Sequence, residues 1–194
     1  MKRIPTAAGL GGGSSDAAAA LVAANLAWNL GLAETDLTAV AAELGSDVPF
    51  FLLGSPAICR GRGERVEPIA GLGRLNFVVA KPPEGLSTAA VYRACRSAEK
   101  PRTAAPLVDA FRRGDVVEAG RLLFNRLQPA AETLSPWIPR LGKMMVAEGF
   151  LGHGMSGSGT AYFGLCRHAA EAQRLARRLR ARDVGSVVAV RSCG

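Results

Sequence analysis

Ile4-Pro5-Thr6-Ala7-Ala8-Gly9-Leu10-Gly11-Gly12-Gly13-Ser14-Ser15-Asp16, running straight into Ala17-Ala18-Ala19-Ala20-Leu21, decides how the rest of the chain is read. A glycine-rich turn continues without a break into an alanine-rich segment of high helix propensity. Glycines let backbone N–H groups converge from torsions closed to other residues, and a helix start leaves its first N–H groups unpaired. Together they make a cradle for an anion, with the helix dipole favouring negative charge there. Ser14 or Ser15 is placed to cap the helix or to turn a hydroxyl towards a phosphate or its metal. A flexible Gly/Ser linker is the alternative, but glycines squeezed between Leu10 and a long apolar run make poor linker chemistry.

Two common phosphate loops are excluded by position. A Walker A loop needs Lys after its last glycine, where Ser14 stands. A dinucleotide fingerprint counted from Gly9 and Gly11 needs its third glycine at that same Ser14. A third class of loop is required.

Working outward, the pattern predicts a helix from about Ser15 to Leu30 with Gly31 as its C-cap, and a second helix capped by Thr35 or Asp36 and ending at Gly45. Lys2–Pro5 reads as the tail of a strand. Phe50–Leu53 and Pro56–Cys59 read as short buried strands around Gly54, and Gly61–Glu64 as a turn into Val66–Ile69. A boundary falls across Ala70–Gly73. Beyond it come a core strand at Leu75–Ala80, helices near Thr88–Ser97, Pro106–Arg113, Val116–Asn125 and Ile138–Glu148, and a polar connector over 98–105. A strand at Tyr162–Cys166, an arginine-rich helix and a strand at Val187–Val190 close the chain.

Composition bounds the class. The 194 residues suffice for one sizeable domain or two small ones, with 48% hydrophobic and 21% charged residues. No uninterrupted apolar run is long enough for a bilayer, and no signal-peptide pattern follows Lys2 and Arg3, so a cytoplasmic protein without membrane partners is expected. Cys59, Cys95, Cys166 and Cys193 are too scattered for a CxxC metal site or a disulfide framework. The net charge of +8 gathers at Arg167, Arg174, Arg177, Arg178, Arg180 and Arg182. Ala169, Ala172, Leu175, Ala176 and Leu179 fall at helical spacing within that run, so it reads as one amphipathic helix with a solvated face. No aromatic interleaving points to nucleic acid.

Two further stretches carry chemistry. In Gly45-Ser46-Asp47-Val48-Pro49-Phe50-Phe51 a carboxylate sits in a turn, able to take a proton from an attacking hydroxyl or to orient it. A capping or Asx-turn role is the structural alternative. Gly152-His153-Gly154-Met155-Ser156-Gly157-Ser158-Gly159-Thr160 is a second glycine-rich turn leading into a strand. His153 has no partner at metal-ligand spacing and reads as structural.

The segment Pro5–Ala18 resembles the ATP loop of the GHMP kinases, the group of galactokinase, homoserine, mevalonate and phosphomevalonate kinases, and the second and third stretches resemble that family's other motifs. The resemblance implies an α+β, two-lobed fold. Its ribosomal-protein-like N-terminal lobe would be truncated here, over 1–72, with a ferredoxin-like C-terminal lobe over 73–194. It implies ATP and Mg²⁺, with Pro5, Thr6, Ala7, Ala8, Gly9, Leu10, Gly11, Gly12, Gly13, Ser14 and Ser15 around the phosphates, Ser15 on the metal side and Asp47 as catalytic base.

Asn125-Arg126-Leu127-Gln128-Pro129-Ala130-Ala131 resembles a segment of the family's diphosphocytidyl-methylerythritol kinase branch, in which Pro129 is expected to break a helix. Gly85–Tyr92 matches where that branch places a Thr and an aromatic near cytosine. Thr88, Tyr92, Gly157 and Ser158 are thereby implied on the substrate side, although Tyr92 reads equally as a core aromatic. The expected partner is the small-molecule diphosphocytidyl acceptor, with the protein a monomer or homodimer. Another acceptor in the family, or a nucleotide-binding fragment without turnover, are the alternatives. The family carries a long segment with a catalytic lysine before its phosphate loop, and Met1-Lys2-Arg3-Ile4-Pro5 begins almost inside the loop. A fragment or an internal start is expected on that ground, with poor stability or aggregation of the chain alone.

Overall fold

The computed structural model describes residues 4–96 and 100–192. The strand expected at Lys2–Pro5 lies partly outside the described residues, and Ile4 and Pro5 themselves are bend and coil. Cys193 and the last residue of the helix expected to end at Ser97 also lie outside them. The described residues form two compact units. One comprises Gly11–Leu72; the other joins the stretch up to Leu10 to Gly73–Ser192.

The Gly11–Leu72 unit holds three helices and a hairpin: α1 (Gly12–Ala27), α2 (Glu34–Leu44), α3 (Val48–Leu53), β1 (Ala57–Arg60) and β2 (Arg65–Pro68). The first helix starts and ends three residues earlier than its pattern predicts. Gly11 is its N-cap, with φ 64°, and neither serine caps it by a side-chain hydrogen bond. For α2, Asp36 reaches back to accept from the Ala33 N–H at 3.3 Å, the returning half of a capping box.

Phe50–Leu53 corrects the sequence reading: it is helical, not a strand. Four apolar residues in a row fit either element. Pro49 in the first turn of α3 pre-sets a helical torsion without losing a hydrogen bond, and Gly54 at φ 66° ends the helix in the left-handed region. The hairpin pairs Ala57 with Pro68 through Arg60 with Arg65. The buried core of this unit is small, made of Ala18, Ala41 and Val48 with Leu21, Phe51 and Leu52 against them.

The second unit is built on β3 (Asn76–Lys81), β4 (Gly152–Met155), β5 (Tyr162–Cys166) and β6 (Ser186–Arg191). They lie in the order β4-β5-β3-β6 with every pairing antiparallel, the split β-α-β arrangement of ferredoxin-like sheets. As an inner strand, β3 is packed on both faces. Val78 and Ala80 join one core, and Phe77 packs against the cluster of Ala110, Ala119 and Leu165.

Among the described residues five helices connect β3 to β4: α4 (Thr88–Ala94), α5 (Ala105–Arg112), α6 (Val116–Leu122), α7 (Gln128–Leu134) and α8 (Trp137–Glu148). Two of these elements escape the sequence reading. Pro129 does not break a helix but stands in the first turn of α7, where its missing N–H costs nothing. Residues 152–155, expected as part of a glycine turn, form the edge strand β4.

The arginine-rich helix α9 (Ala169–Arg180) buries Ala172, Leu175, Ala176 and Leu179. Each such leucine contributes about 1.5–3 kcal/mol by leaving water. Its ends suit the helix dipole, with Glu171 in the first turn and Arg177, Arg178 and Arg180 in the last. Most of the arginine run is engaged within the unit. Arg167 and Arg174 pair with Glu171, Arg178 and Arg182 grip the buried Glu148 of α8, and Arg180 donates to the Val187 carbonyl at 2.9 Å.

Candidate active site

The glycine-rich stretch passes from one compact unit to the other between Leu10 and Gly11. On the helix side, α1 opens at Gly11 with no side-chain cap and no acidic residue in its first turn. An added Cβ on Gly11 would lie 2.4 Å from the Phe51 ring, so glycine is needed here for space as well as torsion. Gly12, Gly13 and Ser14 therefore present a bare helix start in a 16-residue helix. That is the arrangement that binds phosphate, because unpaired N–H groups and the positive end of the dipole coincide. Ser15 lies on the first turn with its N–H given to the Gly11 carbonyl at 2.8 Å. Side chains of a helix tilt towards its N-terminus, so its hydroxyl leans to the same end.

On the other side, the residues before Leu10 are held by the second glycine-rich turn. The Ala161 N–H donates to the Ala8 carbonyl at 2.9 Å, and the Ser156 hydroxyl donates to the Gly9 carbonyl at 2.8 Å. A Cβ on Gly9 would fall 2.1 Å from the Ser156 carbonyl oxygen, so only glycine permits this approach. Ala8 is buried, and Ala7 takes φ 50°, a left-handed torsion that costs an alanine about 1–2 kcal/mol. The residues up to Leu10 and the second glycine-rich turn are thus one packed assembly within this unit.

Thr88 and Ser158 meet with their hydroxyls 2.9 Å apart, and Gly157 lies next to Gly9. Tyr92, one turn beyond Thr88 on α4, is 62% exposed, which removes the reading of it as a core aromatic. Thr160 is fully buried and donates to the Glu84 carbonyl at 2.7 Å, fixing the end of the loop to the segment before α4.

Asp47 lies in the Gly11–Leu72 unit, at the N-cap position of α3. It is exposed and makes no capping hydrogen bond, so the capping role open in the sequence is not the one it plays. The backbone of Gly63 runs beside its carboxylate, and the Cys59 thiol is pushed up by burial and by the charge of Asp47.

Sequence reasoning left the Asn125–Ala131 segment without a physical role. In the structure Asn125 donates from its one amide nitrogen to the Met155 carbonyl at 2.7 Å and the Gly157 carbonyl at 2.8 Å. Gln128 accepts from the Met155 N–H at 3.0 Å and donates to the Tyr162 hydroxyl at 3.3 Å. Burial pushes that tyrosine up to about 12, so it stays a proton donor. The same hydroxyl shares a hydrogen bond with His153 Nδ1, 3.0 Å away. His153 is held below its ordinary value by burial, which favours the neutral ring. Among the described residues no cluster of three or more His, Cys, Asp or Glu is placed to hold a metal ion.

Residues 1–55 match the family described as GHMP kinases N terminal domain, and residues 107–184 match the family described as GHMP kinases C terminal. The chain is 40% identical to a crystal structure of 4-(cytidine 5'-diphospho)-2C-methyl-D-erythritol kinase, with a TM-score of 0.85 over 100% of this chain and 69% of that one. This chain belongs to the GHMP kinases. It is 45% identical to the 4-diphosphocytidyl-2-C-methyl-D-erythritol kinase of Pelotomaculum thermopropionicum over 94% of its own length and 64% of the relative's. The homoserine kinase of Cytophaga hutchinsonii shares the fold, with a TM-score of 0.80 at 21% identity over 99% of this chain and 68% of that one. The chain spans less than two thirds of the length of the curated relatives it matches.

Proposed function

We propose that the protein transfers the γ-phosphate of ATP to the 2-hydroxyl of 4-diphosphocytidyl-2-C-methyl-D-erythritol, yielding the 2-phosphate and ADP, as a step of non-mevalonate isoprenoid biosynthesis in the cytoplasm. The observation that carries this reading is the bare start of α1 on the glycine-rich stretch, uncapped and free of acid in its first turn. The 45% identity to a kinase of that name supports the choice of acceptor.

In this reading Pro5, Thr6, Ala7, Ala8, Gly9, Leu10, Gly11, Gly12, Gly13, Ser14 and Ser15 surround the triphosphate, chiefly with backbone N–H groups. Phosphoryl transfer asks a protein mainly for positioning and charge stabilisation, which such a loop supplies. Asp47 accepts the proton of the 2-hydroxyl as its oxygen bonds to the γ-phosphorus and the bond to the β-phosphate oxygen breaks, releasing ADP. Thr88 and Ser158 sit on the acceptor side with Gly157, and the exposed ring of Tyr92 offers a stacking face for cytosine. Mg²⁺ neutralises phosphate charge when bound. The Ser15 hydroxyl, on the first turn of α1, would hold it. The boundary between the nucleotide-binding N-terminal domain and the C-terminal domain falls between Leu72 and Gly73, with the stretch up to Leu10 packed in the unit of the latter. The protein is a monomer or homodimer.

The test is ATP-dependent phosphorylation of a panel of acceptors: the diphosphocytidyl-methylerythritol, homoserine, mevalonate and phosphomevalonate. The assay uses this chain and a version extended upstream in its reading frame. Product from the diphosphocytidyl compound alone is expected. Turnover of another acceptor instead would reassign the substrate, and ATP binding without any turnover would make the protein a nucleotide-binding module.

A further inference from the structure

β4 is the edge strand of its sheet, and an edge strand presents backbone groups with no neighbouring strand to pair them. At its end, where β4 gives way to the glycine-rich turn, two side-chain amides stand in for that strand. Gln128 takes the Met155 N–H, while Asn125 takes the carbonyls of Met155 and Gly157 with the two protons of one amide nitrogen. The Asn125 oxygen accepts from the Leu127 N–H at 2.9 Å, which fixes the amide's orientation and leaves its nitrogen facing the turn. The turn is open on this flank. A cavity of about 590 Å³ adjoins it, lined by Asn125, Gln128, His153, Ser156 and Gly157 among others, so no packed layer backs these hydrogen bonds. Between the two carbonyls that Asn125 holds lies Ser156, whose hydroxyl binds the Gly9 carbonyl.

We infer that Asn125 is a positioning residue for the nucleotide. Its amide sets the place of Met155–Gly157, and through the Ser156 hydroxyl it sets the place of Gly9 in the phosphate loop. This rests on the reading of that loop as the ATP site. Asn125 acts through the turn, two hydrogen bonds separating its amide from the Gly9 carbonyl. An amide is required rather than a hydroxyl or a carboxylate. Only a group with two donors on one atom satisfies both carbonyls, and a carboxylate would face two oxygen atoms at hydrogen-bond distance with nothing to donate.

The experiment compares Asn125→Ala, Asn125→Asp, Ser156→Ala and the double variant Asn125→Ala/Ser156→Ala. Each is measured for ATP affinity with a fluorescent ATP analogue, for amide exchange over residues 155–160, and for thermal unfolding. Asn125→Asp is expected to weaken ATP binding about tenfold or more and to speed exchange in 155–160, leaving exchange in α8 unchanged. Ser156→Ala is expected to weaken ATP binding about fivefold, and the double variant to be no worse than Asn125→Ala alone, because both cut the same chain of contacts. Additive losses, or faster exchange in the turn with ATP affinity unchanged, would overturn the inference while leaving the ATP site standing. A wild-type protein that does not bind ATP would overturn the ATP reading itself. Should Asn125→Asp fail to fold, the alanine variants and their coupling decide the question alone.

Discussion

The two compact units differ in how they are held together. In the unit of the four-stranded sheet, Tyr162, Ile138, Leu141, Met145, Met155, Leu165, Leu175 and Leu179 are all fully buried or nearly so. In the Gly11–Leu72 unit the buried hydrophobic residues are Ala18, Ala41 and Val48, while Leu26 and Trp28 of the α1 end are 74% and 73% exposed. Large side chains bury more area and leave larger cavities when removed, so stability is concentrated in the sheet unit. The proposed chemistry is distributed the other way. Asp47 and the start of α1 lie in the thinly cored unit, and the firmly cored one contributes a clasp on Ala8 and Gly9. A rigid scaffold holding one end of a loop is a sound way to fix backbone N–H groups, because they are aimed by the whole loop rather than by rotamers.

The strongest way to break this comparison is one leucine replacement in each unit, in the core of the sheet unit and at the exposed end of α1 in the other. Leu141→Ala should cost the sheet unit about 3 kcal/mol, read as the shift of a denaturant midpoint. Leu26→Ser, at an exposed position, should stay within about 0.5 kcal/mol. Equal losses at the two sites would refute the contrast.

A smaller effect is expected at the α8–α9 contact. The Glu148 carboxylate is almost wholly buried, and Arg178 and Arg182 bind it from positions about half exposed. Glu148→Ala should destabilise by about 2 kcal/mol, less than for a fully buried pair because solvent screens the arginines. Raising salt to 1 M should shrink that difference only slightly, since the carboxylate itself is shielded from water.

The smallest expected effect is a pH dependence. Burial holds His153 below its ordinary 6.5, so the folded state binds fewer protons there than the unfolded chain does. Stability from this group is full above 6.5 and is lost as pH falls below it. Replacing His153 with Asn should flatten the melting temperature between pH 7 and pH 5 relative to the wild type. An unchanged slope would mean that the ring titrates as freely in the folded state as in the unfolded one.

How much of this was legible in the residues follows physical lines. Helix α9 and strands β3 and β5 announce themselves, because a period of 3.6 or a short run of β-branched or aromatic residues is written locally. The glycine-rich turn into α1 is legible too, since its composition is local, but the approach of Ser156 to Gly9 and of Phe51 to Gly11 that demands glycine needed the fold. Phe50–Leu53 was misread because four apolar residues carry no period, and the deciding feature is Pro49 at a helix start rather than a break. Pro129 misled for the same reason. Strand β4 stayed hidden because Gly152, His153 and Gly154 have the composition of a turn. Its end is satisfied by amides some thirty residues away in the chain. Asn125 was visible as part of a motif, but its role needed the fold.

The most direct test of the kinase reading pairs two readings on one variant. Transfer of labelled γ-phosphate to the diphosphocytidyl acceptor and ATP affinity are measured for the wild type and for Asp47→Asn, in the upstream-extended form. The account predicts a loss of turnover of about 10³-fold in the variant, the scale of a lost general base, with ATP affinity within twofold of the wild type. Turnover equal in both proteins would contradict it.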